Sequence, residues 1–342
     1  AGEMSRFMTQ LLVESPLVVT HHSMDFNLQS RQIFPQAIAK PVAWAEGMRR
    51  FSPSAINEYM RCQLLFFYNR VAKIKAPQKQ AVIIEPNVLG SVFHKTAELF
   101  YLDFVEHGNP VITPARLASF LEPAADASLV FYVRRAMAEE QVGENVLVEQ
   151  IVKSFFKQLL RNDSKLETFK IKGLETPRAL TFNVLVNGAV RQVELCGIID
   201  RMDIVSDPTI NDGAETLRIV DYKTNGSMEQ ALSMDALFTP GEKHPHYVLQ
   251  TFLYALMVAP DVNNMPLMPT LFFVNKYGDK NFLPYIKYAN EPLTDFAPLA
   301  QDFKFRLEKL LSEMLDEATP FKPTSVLQRC ENCNYRLLCY GK

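Results

Sequence analysis

The chain has 342 residues, of which 48 % are hydrophobic and 22 % charged, and its formal net charge is −2. This composition is typical of a globular protein with room for one large core or two modest ones. No apolar run approaches the ~20 residues that span a bilayer, so we expect no membrane association. The net acidity excludes a protein that coats DNA through overall positive charge.

Residues 1–50 show no sustained periodicity, and we interpret them as a linker or a peripheral segment that follows a preceding region. The chain opens with Ala1-Gly2 rather than methionine, which favours a processed start or an excised fragment. The adjacent His21 and His22 are interpreted as a surface pair rather than as metal ligands.

Helices dominate the next part of the chain. The first is predicted to begin at Ser52-Pro53-Ser54, because serine caps a helix and proline fits its first turn. Its apolar residues recur at helical spacing as far as Phe67. Further helices are predicted after Asn87, over about 114–140, and over about 144–161, so that residues 113–162 form a helical insertion.

The pattern then changes to strands. Apolar or alternating stretches predict strands at 167–175, 178–186 and 190–205, and Asn187-Gly188 predicts a hairpin turn between the last two. The remaining predicted elements are a strand at 216–224, a helix around 247–256, strands at 269–275 and near 281–288, and a helix at about 293–317. This order predicts an α/β core with a helical insertion near its front.

The strand at 216–224 carries the most informative tripeptide, Asp221-Tyr222-Lys223. Side chains alternate along a strand, so the carboxylate and the amine lie on one face. Asp200 ends the preceding apolar strand. If the two strands pair as a hairpin, both carboxylates can reach one metal ion, and the amine can act on water beside it. Simple pairing of each acid with Arg201 or Lys223 is the structural alternative.

Two helical pairs at i,i+4 spacing accompany these strands. Gly90 precedes His94 by one turn, and a glycine there would let another backbone, a ligand or DNA approach closely. Gln250 precedes Tyr254 by one turn and offers an amide and a phenol on one face. Either pair alone is also common in helices without a functional role.

The five cysteines include three at the C-terminus, Cys330, Cys333 and Cys339. Three thiolates so close together predict a metal site that needs a fourth ligand, and Cys62 on the first helix is a candidate. Zinc and an iron–sulfur cluster both fit four thiolates. Cys196 is interpreted as a small buried side chain. An odd number of cysteines without a signal peptide predicts a reducing, cytoplasmic location.

A run of basic residues has two interpretations. It is either a solvated helix face and loop or a patch that contacts phosphate groups. Its members are Arg49, Arg50, Arg61, Arg70, Lys73, Lys75 and Lys79.

Taken together, these motifs resemble a known family. Gly90 with His94, Gly197 with Asp200, Asp221-Tyr222-Lys223-Thr224, and Gln250 with Tyr254 resemble the RecB-like branch of the PD-(D/E)XK nucleases. With the four cysteines added, residues 51–342 are similar to the C-terminal nuclease domain of AddB-type helicase–nuclease subunits. The resemblance implies a restriction-endonuclease-like fold, with a mixed β-sheet flanked by helices and a Cys-rich staple at 326–342.

The resemblance also implies roles for individual residues. Asp200 and Asp221 would bind Mg²⁺ or Mn²⁺, with His94 and the carbonyl of Tyr222 as further ligands. Lys223 would orient or deprotonate the attacking water, and Gln250 and Tyr254 would hold the lysine and the phosphate. Glu175 is a weaker candidate acid. A 4Fe–4S cluster would be held by Cys62, Cys330, Cys333 and Cys339.

The implied function is metal-dependent cleavage of DNA, as an exonuclease, in end processing and recombinational repair, together with a helicase–nuclease partner subunit. No Walker-type glycine-rich loop is present, so an ATPase motor would lie outside this chain. Two alternatives remain: a stand-alone nuclease of the CRISPR-adaptation type, and a non-catalytic module that binds DNA or acts as a scaffold.

Overall fold

The computed structural model describes residues 6–16, 34–41, 44, 46, 49–75, 86–275 and 285–340. His21, His22, Lys79 and the first part of the strand predicted near 281–288 lie outside these residues. Within them, no helix is both long enough and apolar enough to cross a membrane.

The core is a curled, mixed six-stranded sheet. Its strands follow the order β2-β3-β4-β5-β7, and β1 pairs in parallel with the first half of β4. The bounds are β1 Arg49–Phe51, β2 Val111–Ile112, β3 Phe169–Val186, β4 Ala189–Val205, β5 Thr216–Lys223 and β7 Leu267–Phe273. A small second sheet contains β6 Gln230–Ala231, β8 Ile286–Tyr288 and β9 Glu291–Leu293.

The β3–β4 hairpin is the longest pairing in the sheet. Asn187 (φ 49°) and Gly188 (φ 80°) form its turn, which confirms the predicted hairpin. The prediction of two separate strands before this turn is wrong, because β3 runs through Pro177 without a break. Proline is tolerated there because β2 pairs with β3 only at residues 169–170, so no second strand needs the missing N–H of Pro177.

Helices cover both faces of the sheet. On one face, α4 and the helical insertion bury an apolar cluster against β5 and β7, and on the other face α2, α9 and α10 bury a second cluster. The larger helices are α2 Pro53–Arg61, α4 Pro86–Glu106, α5 Pro114–Ser119, α6 Asp126–Glu139, α7 Val146–Asp163, α9 His246–Val258 and α10 Ala300–Leu315. The others are α1 Arg6–Glu14, α3 Gln63–Phe66, α8 Met234–Phe238, α11 Gln328–Glu331 and α12 Arg336–Tyr340.

Three helix predictions need correction. The helix predicted at 114–140 is two helices, because a 3₁₀ turn at Pro123–Ala125 separates α5 from α6. The helix predicted from 293 starts at 300, because residues 291–293 pair with β8. Cys62 does not lie within the first helix but in an extended break between α2 and α3 (φ −166°, ψ 119°). No glycine or proline marks this break, so tertiary packing rather than local propensity produces it.

Part of the segment before residue 50 packs against the end of α10. The Lys40 ammonium donates to the carbonyls of Glu313 (2.6 Å) and Asp316 (3.0 Å). The indole of Trp44 donates to the carbonyl of Met314 at 2.8 Å. This segment is therefore attached to the same core. Its connection to a preceding region stays a prediction.

A fully buried ion network joins the helical insertion to the sheet. Arg201 on β4 donates to both oxygens of Asp163 at the end of α7 (2.6 and 2.9 Å). Arg218 on β5 donates to both oxygens of Asp203 (2.6 and 2.8 Å). The four side chains are 0 % exposed, and Tyr101 on α4 also donates to Asp163. Two arginines and two carboxylates leave the network without net charge.

Candidate active site

Strand pairing brings the two predicted acidic positions together. β4 and β5 are antiparallel, and their ladder ends at the pair of Arg201 with Val220, so Asp200 and Asp221 follow directly beyond that end of the ladder. The predicted hairpin is therefore confirmed. The carboxylate of Asp200 accepts a hydrogen bond from the backbone N–H of Tyr222 at 2.7 Å, which fixes its orientation.

Helix α4 adds a histidine and β3 adds a second carboxylate at this point. His94 Nδ1 lies 3.4 Å from Asp200 Oδ2 and 3.9 Å from Glu175 Oε1. Glu175 has a left-handed backbone (φ 40°), which any residue other than glycine adopts only at a cost. Over the described part of the chain, His94, Glu175 and Asp200 form the one group of three whose ligand atoms all lie within 4.8 Å of one another.

The electrostatics of this group indicate an excess of negative charge. Burial alone lowers the pKa of His94, but Asp200, Asp221 and Glu175 outweigh burial and raise it to about 9. Burial and the neighbouring Asp200 raise the pKa of Glu175 to about 7. Burial raises the pKa of Asp221 to about 6, against the opposing effect of Lys223. Converging carboxylates that resist ionisation are typical of a site that binds a cation.

Lys223 is held by a chain of polar contacts from α9. Its ammonium lies 2.6 Å from Asp221 Oδ2 and donates to Gln250 Oε1 at 3.2 Å. The amide nitrogen of Gln250 donates to Asp221 Oδ1 (3.2 Å) and to the hydroxyl of Tyr254 (3.1 Å). The structure thus links Asp221, Lys223, Gln250 and Tyr254 in one chain of contacts, and Asp200 joins them through the backbone of Tyr222. Their roles stay a prediction.

Three more residues at this site were missed in the sequence. The Lys223 ammonium lies 5.1 Å from the ring centre of Tyr247. Glu229 accepts from the backbone N–H of Tyr247 (2.8 Å), and its other oxygen lies 2.8 Å from His246 Nδ1. His246, Gln250 and Tyr254 repeat at i,i+4 spacing, so their periodicity predicts a polar stripe on α9 that includes His246. Nothing in the sequence predicts the contact of the Tyr247 ring with Lys223.

The two glycines of the motifs differ in their packing. A Cβ at Gly197 would lie 2.9 Å from Cε1 of Tyr254, so this position needs glycine for the ring to approach the strand. A Cβ at Gly90 would lie 3.6 Å from Oγ1 of Thr224, which is an ordinary van der Waals distance. No protein atom therefore makes an unusually close approach to Gly90, and the approach of a ligand or DNA there stays a prediction.

The donor set fits a hard divalent cation. Carboxylate oxygens suit Mg²⁺ and Mn²⁺, and the imidazole nitrogen of His94 adds a ligand that Mn²⁺ accepts more readily than Mg²⁺ does. Binding of such an ion would offset the burial and the repulsion from Asp200 that raise the pKa values of Glu175 and Asp221. The backbone of Tyr222 lies beside these ligands, because its N–H donates a hydrogen bond to Asp200.

The four cysteines assigned to a metal or cluster line one small cavity, together with Tyr68 and Tyr335. Their sulfur atoms do not form a group of three within 4.8 Å, in contrast to the ligand atoms around His94. In a tetrahedral zinc site with Zn–S bonds of about 2.3 Å, the sulfurs lie closer together than that. Cys196 is half-buried on β4, outside this cavity.

Comparison with known proteins identifies one family. Residues 50–340 match the model of the PD-(D/E)XK nuclease superfamily, and no curated protein matches the chain. A solved structure described as "Crystal structure of SSO0001" is 13 % identical and covers 84 % of this chain and 95 % of that chain, with a TM-score of 0.25. A TM-score so low has no bearing on function.

The family match spans most of the chain, and the sheet with its flanking helices has the architecture of that fold. The chain therefore belongs to the PD-(D/E)XK nuclease superfamily, whose members typically use Mg²⁺ or Mn²⁺.

Proposed function

We propose that this chain is a metal-dependent deoxyribonuclease whose active site is built from Asp200, Asp221 and Lys223. The convergence of Asp200, Glu175 and His94 beside the Asp221–Lys223 pair is the single observation that carries this proposal. Asp200, Asp221 and His94 would hold Mg²⁺ or Mn²⁺, with the carbonyl of Tyr222 as a further ligand. A divalent ion at this position supplies charge stabilisation for the phosphate and lowers the pKa of water.

Lys223 acts as a cation in this proposal. Burial alone lowers its pKa, but the neighbouring Asp221 and Asp200 raise it above the usual value. In the metal-free protein these carboxylates favour the protonated form of Lys223, which is suited to orienting water and stabilising negative charge. Gln250 fixes the direction of the ammonium through its side-chain oxygen, and Tyr254 fixes Gln250.

We assign Glu175 a larger part than the sequence indicated. Its carboxylate lies beside His94 and Asp200, and its raised pKa makes it a proton acceptor in the neutral range. Glu175 is therefore placed either to complete the ligand set or to accept a proton from water bound nearby.

The cysteine cavity is proposed to hold a 4Fe–4S cluster, with zinc as the alternative. Cys62, in the break after α2, faces the same cavity as Cys330, Cys333 and Cys339. This assignment rests on the order of the cysteines and on the cavity they share, and four thiolates suit a cluster or a zinc ion. Such a group would staple the C-terminal segment to α2. Cys62→Ser is expected to abolish the iron content of protein purified without oxygen.

The biological role of this nuclease is proposed from its motifs. The order of the motifs and the cysteine arrangement favour cytoplasmic DNA end processing in recombinational repair, as an exonuclease with a helicase–nuclease partner subunit. A stand-alone nuclease of the CRISPR-adaptation type is the second candidate of this class. The non-catalytic scaffold is disfavoured because Asp200, Asp221 and Lys223 are all present: Lys223 contacts Asp221, and Asp200 accepts from the backbone of Tyr222, which lies between those two residues.

The test is degradation of linear duplex and single-stranded DNA with Mg²⁺ or Mn²⁺, on protein prepared without oxygen. Wild type should cut in the presence of metal and not in excess chelator. Lys223→Ala should lose cleavage, while Lys287→Ala, which removes an exposed lysine from β8, should cut like wild type. Equal activity of wild type and Lys223→Ala would exclude the proposed site.

A further inference from the structure

A polar groove runs from the active site towards the cysteine cavity. It lies between α2, α9 and the C-terminal segment, has a volume of about 560 Å³, and is called the α2–α9 groove below. Its lining includes Asn57 and Arg61 from α2, His246 and Gln250 from α9, and Arg329 and Asn334 from the C-terminal segment.

Gln250 connects this groove to the chemistry of the site. It lines the groove, and its amide also contacts both Lys223 and Asp221. His246 lies one helical turn before Gln250, and its carbonyl accepts a hydrogen bond from Asn57 at 3.0 Å, which joins α9 to α2. A ligand in the groove would therefore extend directly away from the position proposed for the scissile phosphate.

Two arginines lie side by side in the groove. The guanidinium of Arg329 donates to the carbonyl of Arg61 at 3.0 Å and to the carbonyl of Gly241. Burial and the nearby charge of Arg61 lower the pKa of Arg329. Within the described ranges neither arginine forms an ion pair with a carboxylate. Two adjacent cations without a carboxylate partner favour an anionic ligand.

The acids of the groove do not neutralise this pair. Glu58 is engaged by Arg70, whose guanidinium donates to both of its oxygens (2.9 and 3.0 Å). Glu242 interacts with Arg329 only through longer-range attraction. The remaining lining is rich in amide groups, which both donate and accept hydrogen bonds and therefore suit phosphate oxygens and base edges alike.

We propose that the α2–α9 groove binds the single-stranded part of the nucleic acid next to the scissile phosphate, with Arg61 and Arg329 contacting backbone phosphates. This inference rests on the proposed nuclease function. A concavity of this volume takes a few nucleotides of a single strand rather than the side of a duplex. The C-terminal segment then has a role in binding, because it supplies one wall of the groove.

Binding is tested with a fluorescent single-stranded oligodeoxynucleotide at several salt concentrations, in the Lys223→Ala background so that no cleavage intervenes. Arg61→Ala and Arg329→Ala should each weaken binding about tenfold. Each should also reduce the slope of log affinity against log salt by about 0.7, the value for one phosphate contact on a single strand. Lys309→Ala, the same charge change at an exposed position of α10, should leave affinity and slope unchanged.

Arg61 is the decisive position, because among the described residues its guanidinium donates to no carbonyl, whereas that of Arg329 donates to two. Arg61→Lys should keep the salt slope and lose part of the affinity, since lysine keeps the charge without the bidentate geometry. With Lys223 restored, Arg61→Ala should raise KM for the oligonucleotide. It should leave hydrolysis of bis(p-nitrophenyl) phosphate, which has no flanking nucleotide, at the wild-type rate.

The proposal is overturned if Arg61→Ala binds the oligonucleotide with wild-type affinity and slope, or if the unsubstituted groove does not bind it at all. It is also overturned if Arg61→Ala slows the small phosphodiester equally, because the effect would then be structural. If the arginines govern binding but wild type cuts no DNA with either metal, the groove stands and the proposed nuclease function fails.

Discussion

The imidazole of His94 on α4 lies 3.4 Å from the carboxylate of Asp200 on β4, although a whole helical insertion separates the two residues in sequence. This contact joins α4 to β4 at the candidate site. Against the lowering effect of burial, Asp200 together with Asp221 and Glu175 raises the pKa of His94 to about 9. A protonated imidazole does not ligate metal, so the proton and the cation compete for the same place.

Metal affinity should therefore rise with pH. Below their pKa values, Glu175 (about 7) and His94 (about 9) hold protons that the metal must displace. Between pH 6 and pH 8, each displaced proton contributes up to about a tenfold gain in affinity per pH unit. Titration of Mn²⁺ followed by electron paramagnetic resonance measures this dependence. A wild-type affinity that is constant over this range would contradict the assignment, and His94→Asn should flatten the dependence.

Glu175→Gln should stabilise the metal-free protein while it weakens metal binding. The raised pKa means that ionisation of Glu175 costs folding free energy as pH rises from its unfolded value towards about 7. The substitution should therefore raise the melting temperature in chelator at pH 8 and have little effect at pH 5. Differential scanning calorimetry at both pH values checks this. A lower melting temperature at pH 8 would show that the glutamate has a structural role instead.

Gly197→Ala should impair catalysis through Tyr254. The added methyl group would lie 2.9 Å from the tyrosine ring, which must move and carry Gln250 with it. Displacing a positioning group by about an ångström can cost up to about 100-fold in rate, so kcat should fall by at least tenfold. Gly90→Ala is the matched control, because its methyl group meets Thr224 at an ordinary 3.6 Å. Equal kcat values for the two variants would argue against this role of Tyr254.

Removing one charged side chain from the buried ion network should lower the free energy of unfolding strongly. Asp163→Ala removes both acceptors that Arg201 has on α7 and leaves a buried cation only partly compensated. Loss of one partner of a buried pair costs about 3–5 kcal/mol of unfolding free energy. Glu308→Ala, which breaks an exposed pair with Lys304, should cost less than about 1 kcal/mol. Urea denaturation of both variants distinguishes these values. Similar losses of unfolding free energy in the two variants would mean that the buried network contributes no more to stability than a surface pair.

The sequence was most informative where local signals act alone. Ser52 caps α2 through its side chain, and Asn187-Gly188 forms its hairpin, because both depend on residues close in the chain. The pairing of β4 with β5 followed from two apolar strands joined by a short polar loop. These signals were sufficient to place Asp200 beside Asp221.

Features that depend on distant packing were not predictable in this way. The break at Cys62 has no local cause in the sequence. The left-handed backbone of Glu175 arises in an irregular part of β3, where the register shifts between Ile171 and Gly173. The hydrogen bond from the Arg329 guanidinium to the carbonyl of Arg61 requires the C-terminal segment to pack against α2. Each of these follows from contacts between residues far apart in the chain.

The most direct measurement compares Asp200→Asn with Lys223→Ala for both Mn²⁺ binding and DNA cleavage. The account predicts that neither variant cuts, that Asp200→Asn also loses the bound Mn²⁺, and that Lys223→Ala retains it. Cleavage by Lys223→Ala at the wild-type rate, or unchanged Mn²⁺ binding in Asp200→Asn, would contradict the assignment of this site.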